Sequence, residues 1–164
     1  MISATNERDQ TARIVDIKLD EASIGRNTAE IEHERQVAIF DILENNRFAL
    51  DEGAPGPYRL RLAIVERRLA FEILSEDQTP ITTFVLSLTP FSKLIKDYFL
   101  VCESYYDAIK TAPPSRIEAL DMGRRALHDE GSHILLVRLK GKITTDFETA
   151  RRLFTLICAL HWKG

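Results

Sequence analysis

The sequence predicts an α+β fold: a three-strand antiparallel meander plus an N-terminal strand, covered mainly on one face by four or five helices. Two observations predict it. Apolar residues alternate with period two through much of residues 58–88, and before and after that stretch they recur at spacings of three and four. A third observation is the globular make-up of the 164 residues, 45% hydrophobic and 29% charged, which argues against a disordered chain. This length fits one domain, expected over residues 13–164, behind a mobile N-terminal arm over residues 1–12.

Residues 13–19 read as the first strand, with Val15, Ile17 and Leu19 on one face. Asn27 and Glu30 form a variant capping box, the Asn side chain accepting from a free backbone amide. Ile31, Ala38, Ile39, Ile42 and Leu43 then make one helical stripe that ends near Asn45 and Asn46. Residues 51–57 carry the breakers Gly53, Pro55, Gly56 and Pro57 and read as a loop. Leu60, Leu62 and Ile64 alternate with polar neighbours, as do Leu69, Phe71 and Ile73, and the short join at Glu66–Arg67 suits a hairpin. Phe84, Leu86 and Leu88 continue the pattern in a third strand. Each strand keeps a more polar face, so helices are expected over the other.

Thr89 followed by Pro90 marks the start of a long helix. Its stripe is Phe91, Leu94, Ile95, Tyr98, Cys102, Tyr105 and Ile109, with Tyr105 facing the core. Pro113 and Pro114 stop it, and Ser115 with Glu118 opens a third helix through Ile117, Leu120 and Leu127 towards Gly131. Residues 134–139 are apolar enough for either a strand or a helix, and Glu130, Ser132 and Gly141 around them favour helix. Thr145 to Glu148 caps a last helix carrying Phe147, Ala150, Phe154 and Ile157.

Composition excludes several classes of function. With 22 basic and 25 acidic residues, for a net charge of −3, the chain lacks the clustered positive excess of a nucleic-acid binder. Its short basic pairs (Arg67–Arg68, Arg124–Arg125 and Arg151–Arg152) each have acids close by. No segment reaches the roughly 18 apolar residues of a membrane helix. The N-terminus lacks a signal-peptide region, and Cys102 and Cys158 are too isolated for a disulfide scaffold. A cytoplasmic protein without cofactor or metal is expected, with both thiols in the core. Glycine-rich phosphate loops, nucleophile elbows and nucleotide fingerprints are absent from the sequence.

One segment carries most of the candidate chemistry. Asp121, Arg124, Arg125 and His128 share a helix face through spacings of three and four, with Gly123 among them and Asp129 and Glu130 beside them. An acid, two guanidinium forks and an imidazole could hold a small anionic ligand and move a proton. The same residue types also make ordinary solvated charge pairs. Glu32-His33-Glu34-Arg35 starts like a zinc-protease helix, but Val37 stands where the second histidine is needed. His128 and His133, five apart, would need a bend at Gly131 to share a metal. His161 reads as a cap or packing residue.

The run from Arg116 to Arg125 (Arg-Ile-Glu-Ala-Leu-Asp-Met-Gly-Arg-Arg), then His128, Glu130-Gly131 and the run from Thr149 to Cys158, resembles uncharacterised protein family 0262 of alphaproteobacteria. The resemblance extends from about Arg13 to Trp162. It implies a bacterial cytosolic protein of about this size and brings no activity or catalytic residue with it. Two readings of function therefore stand, and whether the chain is an enzyme stays open. The first is a small protein-interaction or regulatory module, compatible with a homodimer, because Phe99, Val101, Tyr106 and residues 134–139 give its helices more apolar surface than one stripe. The second is an anion-binding domain or enzyme built on Asp121, Arg124, Arg125 and His128, with Arg151 or Arg152 nearby.

Overall fold

The computed structural model describes residues 10–161. In chain order these form strand β1 (Ile14–Leu19), a single helical turn α1 (Glu21–Ile24), helix α2 (Ala29–Glu44) and strands β2 (Phe48–Leu50), β3 (Tyr58–Val65), β4 (Arg68–Ser75) and β5 (Pro80–Ser87). A 3₁₀ turn at Thr89–Phe91 leads into helix α3 (Ser92–Thr111), helix α4 (Pro114–Leu139), strand β6 (Ile143–Thr145) and helix α5 (Phe147–Leu160). The expected α+β class is the one observed.

The main sheet has the order β1-β3-β4-β5. Strands β3, β4 and β5 form the expected meander, with Leu62 opposite Phe71 and Leu69 opposite Leu86. Strand β1 lies parallel to β3, which is why a crossover through α2 separates them in the chain. A register shift between Ile14 and Asp16 buries Ile14 together with Ile17 and leaves Val15 only half-buried, unlike the expected Val15–Ile17–Leu19 face. At the β3–β4 turn, Glu66 and Arg67 take φ of 50° and 61°. A tight two-residue hairpin requires that conformation, and here it is met without glycine or asparagine.

Tyr58, Leu60, Leu62, Leu69, Phe71, Ile73 and Leu86 point into one core. On the other face Arg59 pairs with Asp16 and Arg61 with Glu72. Helix α5 is the centre of the helical layer: it packs on α2 and on α4, and α4 in turn packs on α3.

Several local expectations are corrected. Residues 48–50, given no element in the sequence reading, pair as β2 with β6 in a second, two-stranded antiparallel ladder, Phe48 opposite Thr145. Three-residue strands are too short for a period to show. Thr145 therefore belongs to a strand, and Asp146 caps α5 by accepting from Thr149 N at 2.8 Å. Thr28, not Asn27, caps α2, accepting from Ile31 N at 3.3 Å, while Asn27 N donates to Glu32 Oε1. Ser115 does not cap α4, which begins after Pro113 with no side-chain cap. Residues 134–139 are helical and continuous with what precedes them, because Gly131 lies inside α4 rather than at its end.

Of the segment expected to be a mobile arm, residues 1–9 lie outside the described residues. Ala12 is buried, and its carbonyl accepts from Phe48 N at 2.8 Å.

Candidate functional site

Helices α3 and α4 run antiparallel, and α5 covers only the C-terminal half of α4, through the Phe154 ring at Gly131, Thr155 at His128 and Phe147 at His133. Beyond that seam the two helices have chiefly each other. From Glu103 to Leu120 only Ala108 is buried. This two-helix spur carries the candidate charged cluster near its base.

The expected stripe on α3 is core for Phe91, Leu94 and Ile95, which are buried. Further along it runs off the body. Tyr105, expected to face the core, is half-buried, and Ile109 is 49% exposed. Leu100, Tyr106 and Met122 are exposed as well, at 53%, 60% and 66%. Among the described residues, the chief neighbour of this part of α3 is α4.

Asp121 sits between the two arginines. Its carboxylate accepts from Arg124 Nη2 at 2.5 Å and lies 3.1 Å from Arg125 Nε. The Arg124 guanidinium also stacks over the Tyr105 ring, 4.6 Å from its centroid, so it ties α4 to α3. Burial alone would lower the Arg124 pKa. The hydrogen bond and charge of Asp121 outweigh it and hold the group above its usual value.

His128, one turn further, enters the seam between α3, α4 and α5. It is 9% exposed and lies 5.6 Å from the Tyr98 ring and 5.4 Å from Phe154, centroid to centroid. The Thr155 hydroxyl donates to Arg151 O at 3.0 Å, so His128 Nε2, 2.7 Å from Thr155 Oγ1, supplies the proton of their hydrogen bond. Nδ1 is then the deprotonated nitrogen, and it is buried with no hydrogen-bond partner. Burial, reinforced by the charges of Arg151 and Arg124, lowers the His128 pKa below its ordinary value, with Asp129 opposing. The ring is neutral at neutral pH.

The structure thus brings Asp121, Arg124 and Arg125 into one ion cluster, with Arg124 Nε buried and unpartnered, and sets His128 against α5. Arg151 lies 3.8 Å from Asp129 and from Glu148, and Arg152 donates to Asn45 O. Among the described residues no group of three or more His, Cys, Asp or Glu side chains is gathered as for a metal. His133 stacks on Phe147 at 4.7 Å, and His161 is the residue that ends α5, its Nδ1 2.7 Å from Ile157 O. Cys158 is buried, and burial pushes its thiol pKa up. Cys102 is half-buried and shifted the same way, with the Tyr98 hydroxyl opposing. No helix among the described residues is long and apolar enough to cross a membrane.

Sequence reasoning missed Arg35, which is 3% exposed within α2. Its neighbours in sequence drew attention to His33 instead. The signal was available: Arg35 falls four residues after Ile31 and four before Ile39, on the apolar stripe itself.

Fold and site together define a class: a small α+β body with a mixed sheet under a layer of helices, from which a two-helix spur with an apolar side and an Asp121–Arg124–Arg125 ion cluster extends. The chain belongs to the uncharacterised protein family UPF0262, whose family model matches residues 11–163. It is 58% identical over 158 residues to the UPF0262 protein of Mesorhizobium japonicum, covering 95% of this chain and 98% of that one. It is 60% identical over 158 residues to a UPF0262 protein of Bradyrhizobium sp. strain ORS 278, covering 95% and 94% respectively, and 58% identical over 154 residues to one from Brucella canis, covering 93% and 96%. No solved structure matches the chain. The family brings no assigned activity.

Proposed function

We propose that this chain is a cytosolic protein-association module that forms a homodimer through its helical spur. The observation that carries the reading is the length of helix left without cover: from Glu103 to Leu120 a single residue is buried, although the segment contains Tyr105, Tyr106, Ile109, Ile117 and Leu120. A helix pair that buries only the side it shares gains from a second pair, because two such hairpins make a four-helix bundle with a common core.

Charge favours a second copy as the partner. Between residues 99 and 127, Glu103, Asp107, Glu118 and Asp121 are balanced by Lys110, Arg116, Arg124 and Arg125, whereas the whole chain carries −3. The spur is therefore neutral on a net-negative protein, so two spurs meet without the net repulsion that the whole chain's charge would impose. A two-fold packing that sets α3 of one copy against α4 of the other also brings Glu103 and Asp107 towards Arg116 and Arg125 of the second.

The anion-binding reading of Asp121, Arg124, Arg125 and His128 has less support, since the Asp121 carboxylate already pairs with both guanidinium groups and competes with an outside anion for them. Within the dimer reading these residues brace α3 against α4. Light scattering during gel filtration tests the proposal: a mass near twice 18.7 kDa is expected. Tyr106→Glu combined with Met122→Glu should return the mass to that of one chain. A single-chain mass for the wild type at every concentration up to about 100 μM, a range in which specific dimers are populated, would refute it.

A further inference from the structure

A cleft of about 370 Å³ opens between β1, α1 and α2, away from the spur. That volume falls in the range of small-molecule sites, roughly 300–1,000 Å³. Ile17, Leu19, Ile24 and Ile39 supply apolar wall, and Lys18 and Arg35 supply positive charge.

Arg35 is the unusual member. A nearly inaccessible guanidinium is costly unless its donors are met. Its Nε donates to Ala159 O at 3.2 Å, and its Nη1 donates to Gly25 O at 2.9 Å and to Glu32 Oε1 at 3.0 Å. These bonds fix the group between the α1–α2 turn, α2 and the end of α5, and they use one terminal nitrogen completely. Nη2 has no acceptor within hydrogen-bonding distance among the described residues, yet it is not sealed off from solvent. The cleft that Arg35 lines is the route by which an acceptor would reach it.

The acids of the wall are already engaged. Asp20 accepts from Ser23 N at 3.1 Å, Glu21 pairs with Arg26 at 3.4 Å, and Glu32 accepts from Asn27 N at 2.8 Å as well as from Arg35. The charge left over is Nη2 of Arg35 and the exposed ammonium of Lys18, for which there is no ion pair among the described residues. Three carboxylates so close disfavour a doubly charged anion, while the four aliphatic side chains suit a hydrocarbon tail.

We propose that this cleft binds a small monocarboxylate with a short aliphatic chain, its carboxylate held by Arg35 Nη2 and the Lys18 ammonium and its tail against Ile17, Leu19, Ile24 and Ile39. A charge-assisted pair at a preorganised guanidinium is among the stronger hydrogen bonds a protein offers, and here the protein has fixed the donor in advance.

Calorimetry on the full chain with straight-chain carboxylates from butanoate to octanoate tests this. Saturable binding is expected, tightening with chain length until the cleft is filled. Lys18→Ala, at an exposed position that leaves the fold intact, should weaken it by at least about tenfold. Arg35→Lys should abolish it in a protein whose circular dichroism is unchanged. Hexylamine and inorganic phosphate should not compete. The proposal is overturned if no carboxylate binds more tightly than about 1 mM, if Lys18→Ala binds as well as wild type, or if phosphate binds equally. Tyr106→Glu with Met122→Glu on the spur should leave the affinity unchanged, so the ligand site and the dimer are tested separately.

Discussion

Helix α5 and the spur are both amphipathic helix, and they differ in what surrounds them. Of the 14 residues of α5 nine are buried, including Leu153, Phe154, Leu156 and Ile157, because α2 and α4 pack on it and it shares the core cluster with the sheet. The 18 residues from Glu103 to Leu120 bury Ala108 alone. Period three-and-four hydrophobicity marks the face that prefers to leave water, and it is silent on whether anything is there to receive it. The stability of this protein should therefore rest on α5 and on the half of α4 that it touches, while the spur contributes little to the isolated chain.

The largest effect should come at Phe154, which is wholly buried against Phe91, Tyr98 and His128. Phe154→Ala should cost about 3–5 kcal/mol in urea unfolding. Ile109→Ala on the spur should stay within about 0.5 kcal/mol under conditions where the chain is a monomer. Comparable losses at the two sites would mean that the spur is packed as tightly as the body.

Gly131→Ala comes next. A Cβ there would lie 2.2 Å from Phe154 Cζ and 2.4 Å from Cε2, and that ring is wholly buried. Overpacking of this kind costs about 1–3 kcal/mol, although alanine is the better helix former. Adding Phe154→Leu should recover part of that loss, since the pair shares one space.

The seam should also respond to pH. Unfolded, His128 titrates near the ordinary histidine value of about 6.5. Folded, burial lowers its pKa, with Arg151 and Arg124 adding to the effect. Between those two values the unfolded chain binds the extra proton and the folded chain does not. The contribution of neutral His128 is thus fully present above about pH 6.5 and is lost as pH falls towards the folded pKa. Urea midpoints measured from pH 7.5 down to 5.5 should decline over that interval, and His128→Gln should flatten the decline. An unchanged slope in the variant would assign it to other groups.

The meander and helices α2 and α5 were legible in the sequence because each buries one face at a regular period. The meander was read from Leu60, Leu62, Leu69, Phe71 and Ile73, and all five are buried. The helical cluster was read as one face because the spacings require it, and Asp121, Arg124 and Arg125 do meet. What could not be read depended on neighbours distant in sequence. The β2–β6 ladder joins residues about a hundred positions apart, and α5 ends before it can cover the first half of α4. His128 and Arg35 show the same limit from opposite sides. One sits on a polar run yet faces the core, and the other lies on an apolar stripe yet lines a cleft.

A small effect at Gly123 is also the sharpest, because it concerns the same residue type in the same helix. Gly123 lies eight positions before Gly131 in α4, but its added Cβ would meet only Val101 Cγ1 at 4.0 Å, an ordinary contact. Gly123→Ala should accordingly stabilise the monomer by about 0.5–1 kcal/mol, through helix propensity alone. The sign is opposite to that expected at Gly131, and the reason is solely whether another element stands over the backbone. Repeating the measurement at higher protein concentration extends the argument to the dimer. If the gain persists when the mass has doubled, the second copy docks elsewhere on the spur. If the gain turns into a loss only then, the second copy covers Gly123, and the spur has acquired the close neighbour that α5 provides in the body.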